Sequence, residues 1–427
     1  MCEVDSPAVA MWLMTHEPDD NTADTAPSAQ PPPMTGVRVL EVAAWIAGPA
    51  AGGILADWGA DVIKVEPCNG DPLRGILTLG EQSINPVFEL DNRGKRSIAI
   101  DISTAPGFAI LLSLIARADV LLTNFRPSAL THLRIDPETL LEQFPHLIYA
   151  SVTGYGHESE HRNRPSYDIG GFWARSGGAA AHSVAGEAPP ILRGGYGDHV
   201  TAMTLTAGIA AALFERERTG RGRPVTTSLI RAGVYAVSQD FNVKQRAGIT
   251  FPMGTTRAVA GNPMMNSYRC SDDRWLWLLG LQPDRQWPLV LQALGRLDLL
   301  TDGRFATLAD RRANAEVLIA ELDATFAART RDEWEACLCE YDIWYEPVLS
   351  IEEALTDQIV TGSGAFIDIP GRSGPIPSVA SPVDFPGSPI TVSRPTPELG
   401  EHTDEILVEL GHNWDQIIEW KLAGAVL

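Results

Sequence analysis

The segment from residue 36 to residue 75 constrains the fold most, because strand, turn, helix and strand patterns follow one another within it. An apolar run at residues 37–42 predicts a first strand, and Ile54–Trp58 lies in a predicted helix that Gly59 can end. A second strand is predicted at Asp61–Glu66. Two strands joined through a helix form a βαβ unit. The sequence therefore predicts an α/β fold.

The turn of this βαβ unit, Ala47–Gly53, carries almost no side-chain bulk. Small residues allow a ligand to approach the backbone at a helix start. They equally allow a helix to pack closely on a sheet. The spacing is not G-x-G-x-x-G, so it gives only weak support for dinucleotide binding. On spacing alone, ligand approach and close packing both stay open.

Composition limits the classes of partner. The chain has 427 residues, which is enough for one large or two moderate domains with a sizeable core. A net charge of -21 argues against a nucleic acid or an anionic membrane as partner. No apolar run reaches the ~18–20 residues of a membrane span.

The cysteine pattern predicts a reducing, cytoplasmic compartment. Five cysteines are an odd number, and they lack the spacing of a disulfide framework. Cys337 and Cys339 stand two positions apart, but this pair alone does not make a metal site. No other pattern of metal ligands is present in the sequence, so we expect no metal.

The small-residue turn and its flanks carry a family resemblance. Residues 47–66, AGPAAGGILADWGADVIKVE, and residues 70–75, GDPLRG, resemble the start of the class III CoA-transferases, the formyl-CoA and carnitine-CoA transferase family. That superfamily also contains the α-methylacyl-CoA racemases. Residues 92–98, 124–127 and 399–407 extend the likeness to nearly the whole chain after Thr35.

The resemblance implies a domain plan. We expect a Rossmann-like large domain built from the N-terminal half plus the C-terminal tail, with a smaller α+β domain inserted, in an interlocked homodimer. Residues 1–35 are predicted to be a disordered extension, and residues 36–241 the first part of the large CoA-binding domain. Residues 242–349 are predicted to form a linker and the small domain, and residues 350–427 to return to the large domain.

The resemblance also implies a coenzyme A thioester as substrate, with no permanently bound cofactor. Three cations stand in the four residues from Arg93 to Arg96. Such a run is ordinarily a solvated turn, but Arg and Lys donors also suit phosphate oxygens. The adenosine and pantetheine contacts are predicted at Ile46, Ala47, Asn124 and Phe125. The phosphate contacts are predicted at Arg74, Arg93, Lys95, Arg96 and Arg126.

Two acids are candidates for catalysis, Asp168 and Glu187. The resemblance implies a carboxylate nucleophile that attacks the acyl-CoA thioester and then carries CoA as an enzyme thioester. The register after residues 176–181 places Glu187 at this position, where the family usually has Asp. Asp168 matches an Asp that works with a histidine in the racemases. Asp198 matches another recurring acid, which we interpret as structural.

The leading hypothesis is a CoA-transferase that moves CoA from an acyl-CoA to a carboxylic acid. The pairs Phe172–Trp173 and Met264–Met265 favour fatty or other apolar acyl groups, as in lipid metabolism. One alternative is an α-methylacyl-CoA racemase that uses Asp168, although Leu140–Gln143 stands near the place of the racemase histidine. Another is a non-catalytic acyl-CoA-binding homologue, which would bind CoA without turnover.

Overall fold

The computed structural model describes residues 30–76, 79, 85–250, 257–388, 390 and 392–427. Most of the extension predicted at residues 1–35, and residues 251–256 of the predicted linker, lie outside the described residues. The described chain divides into two compact units. The larger unit comprises residues 30–183, 187–250 and 363–427, and the smaller comprises residues 184–186 and 257–362.

The larger unit is organised on a six-stranded parallel sheet in the order β3-β2-β1-β4-β5-β6. This order, with a reversal between β1 and β4, is typical of doubly wound α/β folds. The predicted α/β class is therefore confirmed. The strands of the described residues are β1 Arg38–Val42, β2 Asp61–Glu66, β3 Arg96–Ala99, β4 Val120–Thr123, β5 Ile148–Thr153, β6 Pro224–Ser228, β7 Ser267–Arg269, β8 Trp275–Leu278, β9 Tyr345–Val348, β10 Phe366–Gly371 and β11 Gly374–Val379.

Helices connect the strands and cover both faces of the sheet. The α-helices of the described residues are α1 Ala47–Asp57, α2 Pro86–Asn92, α3 Ala105–Arg117, α4 Pro127–His132, α5 Pro137–Gln143, α6 Gly178–Ala181, α7 Tyr196–Thr219, α8 Leu229–Ala236, α9 Ser238–Ala247, α10 Pro283–Leu294, α11 Leu308–Ala313, α12 Ala315–Phe326, α13 Arg331–Glu340, α14 Ile351–Ala354, α15 Gln358–Gly362, α16 Thr403–Glu409 and α17 Trp414–Leu422. A π-helix spans Ile169–Ala174. Within the described part of the chain, no helix is long and apolar enough to cross a membrane.

Successive residues of the central strands enter two different cores. In β1, Val39 packs with α1 and α7 on one face, whereas Leu40 packs with α3, α16 and α17 on the other. Strand side chains alternate between faces with period two, so a strand covered on both sides is apolar at nearly every position. This explains the apolar residues Val120–Leu122 of β4 and the apolar neighbours of Glu41 in β1.

A buried ion-pair network lies under the carboxyl end of β1. In β1, Glu41 Oε1 accepts a hydrogen bond from Lys64 Nζ at 3.0 Å, and Glu41 Oε2 accepts one from Lys95 Nζ at 2.6 Å. Lys64 also contacts Asp71 Oδ2 at 2.9 Å. All four side chains are almost completely buried. Two carboxylates therefore balance two ammonium groups inside the protein. We call these four residues the Glu41 network.

Helix α1 can cross this network because residue 52 is a glycine. A Cβ atom at Gly52 would overlap Glu41 Oε2 and lie 3.2 Å from Lys95 Nζ. Gly53 faces the backbone of Asp91 in the same way. A Cβ atom added at Gly53 would lie 2.9 Å from the carbonyl oxygen of Asp91. The small residues in the first half of α1 thus serve close packing.

The C-terminal segment covers the edge of the sheet at β3. His402 N donates to Ser97 O at 2.9 Å, and Ala99 N donates to Thr403 Oγ1 at 3.2 Å. Ile100 and Val426 form an antiparallel bridge. An unpaired edge strand is a template for association with other chains. Here, residues of the C-terminal segment occupy those backbone groups.

The smaller unit has its own antiparallel sheet and core. Its strand order is β7-β8-β9. Tyr268, Leu276 and Leu278 point from this sheet into a core that also holds Phe326 and Trp334 from α12 and α13. Trp334 Nε1 donates to Phe326 O at 2.8 Å, so the buried indole N–H is satisfied.

We predict that Glu41→Gln destabilises the protein by about 3–5 kcal/mol, because Lys95 then loses its ion pair and Lys64 keeps only the one with Asp71. Chemical denaturation followed by far-UV circular dichroism measures the loss. The matched control is Glu215→Gln, which breaks an exposed pair with Arg223 and should leave stability nearly unchanged. Equal stability of Glu41→Gln and the wild type would show that the network is not a structural element.

Candidate active site

A cavity of about 620 Å³ opens at the carboxyl ends of β1, β4 and β5. The order of the sheet reverses between β1 and β4, and ligands of open α/β sheets bind at such reversal points. The cavity size is within the ordinary range for small-molecule sites. Its lining includes Trp45 and Ile46 after β1, Asn124–Arg126 after β4, and Thr153 and Gly154 at the end of β5.

The loop after β1 is held in place from both sides. Ala44 N donates to Asn124 Oδ1 at 3.1 Å, and Asn124 Nδ2 donates to Ala44 O at 2.6 Å. Trp45 N donates to Asp71 Oδ1 at 3.2 Å. Lys64 Nζ, besides its contact with Asp71, donates to Ala43 O at 3.2 Å. The Glu41 network and Asn124 together fix the floor of the cavity.

The structure brings together five of the predicted CoA-binding residues. Side chains or backbone of the following residues line the cavity: Ile46, Ala47, Asn124, Phe125 and Arg126. The side-chain amide of Asn124 is occupied by Ala44, so this residue shapes the cavity rather than offering free donors.

The other four predicted residues lie outside the cavity lining, and each cation contacts a carboxylate of the protein. Arg74 forms a two-point contact with Glu66, and Arg93 forms one with Asp57. Lys95 contacts Glu41, and Arg96 contacts Asp61 and Glu409. These contacts give Arg74, Arg93, Lys95 and Arg96 an internal structural role, and their predicted contact with CoA phosphates stays a prediction.

Three exposed guanidinium groups surround the cavity instead. Arg126, Arg162 and Arg164 line it, and the ion pairs of the described residues include none of the three. Arg164 lies over the Tyr155 ring, with 5.5 Å from Cζ to the ring centroid. In a protein of net charge -21, such a group of uncompensated cations favours an anionic ligand. Sequence reasoning missed Arg162 and Arg164. The segment His161–Arg164 holds one histidine and two arginines in four residues, and this basic composition was the available signal.

The two predicted catalytic acids occupy different environments. Asp168 is buried, and its carboxylate accepts hydrogen bonds from Ile169 N at 2.7 Å and Gly197 N at 3.2 Å. Glu187 is exposed, and it is not among the residues that line the cavity. Asp168 does not line the cavity either, but it contacts the start of α7 beside the cavity, whereas the contacts of the described residues give Glu187 no comparable position.

Asp198 is the carboxylate that lines the cavity. It stands in the first turn of α7, one residue after the Gly197 that donates to Asp168. Burial and the nearby Asp168 raise the pKa of Asp198 to about 7, against an ordinary value of 3.8. The adjacent His199 opposes this rise. A carboxylate with a raised pKa in a cleft is a candidate for catalysis.

His199 is fixed beside this carboxylate. Its Nε2 atom lies 3.0 Å from Asp91 Oδ1 in α2. Burial alone would lower the pKa of His199, but the hydrogen bond and the charge of Asp91 raise it. An imidazole that pairs with Asp91 brings positive charge next to Asp198. From the sequence we interpreted Asp198 as structural. The residues around it in the sequence do not indicate that it faces a cavity.

The chain is similar to known proteins over most of its length. Residues 34–403 match the model of CoA-transferase family III, so the chain belongs to that family. It is 31% identical to the (R)-2-hydroxy-4-methylpentanoate CoA-transferase of Clostridioides difficile over 91% of this chain and 98% of the relative. It is 32% identical to the cinnamoyl-CoA:phenyllactate CoA-transferase of Clostridium sporogenes over 90% of this chain and 95% of the relative.

Similarity to a solved structure extends over the same range. The crystal structure of a CAIB/BAIF family protein from Brucella suis superposes with a TM-score of 0.79 at 30% identity. It covers 89% of this chain and 100% of the other. The family membership that the motifs suggested is therefore confirmed, and the protein is a CoA-transferase that acts on CoA thioesters.

We predict that Asp198→Asn raises the melting temperature, and that the gain grows with pH. The pKa of Asp198 is about 7 in the folded chain and near 3.8 when unfolded, so its ionisation costs stability as pH rises between these values. Asn removes that cost. The gain should be absent below about pH 4 and level off above about pH 7.

Thermal unfolding across this pH range measures the effect. Asp240→Asn is the matched control, since Asp240 also stands in the first turn of a helix but is exposed. A gain for Asp198→Asn that does not change with pH would contradict the electrostatic explanation.

Proposed function

We propose that the protein transfers CoA from an acyl-CoA to a carboxylic acid through a thioester between CoA and Asp198. One observation carries the proposal: Asp198 lines a cavity together with three arginines that have no ion pair among the described residues. A carboxylate nucleophile and an anion site in one cleft are the two elements that such a transfer requires.

The transfer takes four balanced steps. The Asp198 carboxylate attacks the thioester carbonyl, a C–O bond forms, the C–S bond breaks, and CoA leaves as a thiolate. The thiolate attacks the aspartyl carbonyl of the resulting anhydride, which releases the donor acid and leaves CoA on Asp198. The acceptor carboxylate attacks this thioester and again releases the thiolate. The thiolate finally attacks the acceptor carbonyl of the second anhydride, which yields the new acyl-CoA and restores Asp198.

The roles of the two buried acids follow from their contacts. Both oxygens of Asp168 are held by backbone N–H groups, which keep it in place and leave it poorly placed for attack. We therefore assign Asp168 a positioning role at the start of α7. Its charge helps to raise the pKa of Asp198, which makes the Asp198 carboxylate more basic and a stronger nucleophile.

We propose that Arg126, Arg162 and Arg164 bind the phosphates of CoA. Planar guanidinium groups bind phosphate oxygens with two parallel hydrogen bonds. The pantetheine then runs past Phe125 and Ile46 towards Asp198, since these residues line the same cavity.

We propose apolar acids as the substrates. Phe172 is buried in a cluster with Leu229 and Ala232, and Met264 is buried in the core of the smaller unit. These two residues thus serve packing. The support for apolar acyl groups comes from aromatic side chains that line the cavity, Trp45, Phe125 and Tyr167. The acids named for the two relatives, a branched and an aromatic hydroxy acid, both carry apolar side chains.

We further propose that the protein is a homodimer. A cleft of about 640 Å³ on the larger unit has a mainly apolar lining from α7, α8 and α9. Tyr235 in this cleft is 80% exposed. Light scattering should give the mass of two chains, and the mass of one chain would exclude the dimer. The cytoplasmic location stays a prediction of the cysteine pattern.

We predict that an acyl-CoA labels Asp198. The protein is incubated with a medium-chain acyl-CoA and treated with borohydride, which reduces an aspartyl thioester to an alcohol, and the modified peptide is mapped by mass spectrometry. Asp198→Asn should lose the label and reduce transfer by roughly 10³-fold or more. The control Glu187→Gln should keep both.

A label on Glu187 or Asp168 would show that the proposed nucleophile is wrong. Tight acyl-CoA binding with no label at any acid would favour a binding protein. Exchange of the α-proton with deuterated water, without CoA transfer, would favour the racemase.

We predict that Arg126→Ala and Arg164→Ala each weaken CoA binding roughly tenfold, because each removes a charged hydrogen-bond donor to phosphate. Isothermal titration with CoA measures the dissociation constant. Arg221→Ala is the control, since Arg221 is exposed and outside the cavity lining. Unchanged binding in both variants would place the phosphates elsewhere.

A further inference from the structure

Trp45 has an unusual backbone conformation at the cavity. Its φ is 66°, in the left-handed region that a bulky residue rarely occupies. Such a conformation is strained and persists only where surrounding contacts impose it. Here the Trp45 N–H donates to Asp71, which Lys64 holds from the other side. The Glu41 network thereby helps to hold the backbone of Trp45 in this conformation.

The indole packs against Tyr167 to form an aromatic corner. The two ring centroids are 5.7 Å apart and the ring planes meet at 81°. Both residues line the cavity, and Tyr167 is 61% exposed. A perpendicular pair leaves ring surface exposed. A third aromatic ring packs on such a surface in a preferred geometry.

Short contacts place this corner beside Asp198. Tyr167 precedes Asp168, whose carboxylate accepts from Gly197 N, and Gly197 precedes Asp198. On the other side, a Cβ at Gly195 would lie 3.6 Å from Ile46 Cδ1, so the residue after Trp45 packs against the start of α7. The aromatic corner and the proposed nucleophile are therefore close in space.

The charged side of the cavity comes from the residue before α4 and from an earlier part of the loop that carries Tyr167. Arg126 follows β4, and Arg162 and Arg164 stand in the loop after β5. When the phosphates of CoA bind these arginines, the thioester end of the molecule extends to Asp198. The acyl group attached to the thioester then meets Trp45, Ile46 and Tyr167.

We propose that Trp45 and Tyr167 are specificity-determining residues that select acyl groups with a planar aromatic ring over linear acyl groups of the same size. This inference rests on the proposed function, because it takes Asp198 as the point where the thioester reacts. Burial of apolar area favours the binding of an aromatic ring and of a flexible alkyl chain alike. Stacking on the aromatic corner favours the aromatic ring in addition.

The test uses an exchange that needs no knowledge of the natural acceptor. The protein is incubated with 3-phenylpropionyl-CoA and deuterated 3-phenylpropionate, or with nonanoyl-CoA and deuterated nonanoate, which has the same number of carbons. Mass spectrometry follows the label into the thioester. The wild type should favour the aromatic pair about tenfold in kcat/KM.

Trp45→Leu should bring this ratio close to one while the exchange of nonanoate continues. Trp45→Phe, which keeps a ring, should retain a preference for the aromatic pair. Trp414→Leu, an exposed tryptophan of α17, is the matched control and should leave the ratio unchanged.

Each result separates this inference from the proposed function. Active exchange with a wild-type ratio near one, or a ratio that survives both Trp45→Leu and Tyr167→Leu, would overturn the aromatic corner and leave the transferase intact. An equal loss of affinity for every thioester and for free CoA in Trp45→Leu would also overturn it, since Trp45 would then bind the nucleotide. Absence of exchange with either acid, together with no label on Asp198, would reject the proposed function.

Discussion

The contact on which much of this structure depends is the pairing of one buried carboxylate, Glu41, with two buried lysines. Taking these charges out of water is costly, and only their mutual compensation makes it tolerable. The network joins β1 and β2 to the start of β3, and through Asp71 it also holds the loop that carries Trp45. Stability and site geometry therefore depend on the same ions.

This arrangement divides the cations of an acidic protein into two groups. Arg93 and Lys95 neutralise carboxylates that would otherwise be buried alone, and Arg96 pairs with half-exposed carboxylates. Arg126, Arg162 and Arg164 are left with their charge facing the cavity. The surrounding negative charge does not prevent an anionic substrate from binding, because the field near three guanidinium groups is positive over short distances.

Sequence reasoning was reliable for patterns that depend on neighbours in the chain. The two strand patterns joined through a helix pattern in residues 36–75 predicted the α/β fold, and the motif likeness predicted the family. The partners of the cations were not predictable, since Arg93 binds Asp57 and Arg96 binds Glu409. A run of basic residues shows charge, but only the folded chain shows which carboxylates face it.

The same limit applies to the acids. Glu187 was chosen from its position relative to two prolines, and Asp168 from the residues around a short motif. What distinguishes Asp198 is its place at the beginning of a long helix that faces the reversal point of the sheet. That property depends on the strand order, which no local pattern of residues contains.

The covering of β3 by the C-terminal segment has a consequence for synthesis on the ribosome. Residues 400–427 leave the ribosome after both the sheet strands and the smaller unit have been made, so the β3 edge stays open during most of translation. An open strand edge invites association between nascent chains. The interval before the tail arrives is thus a period in which the β3 edge can pair with another chain.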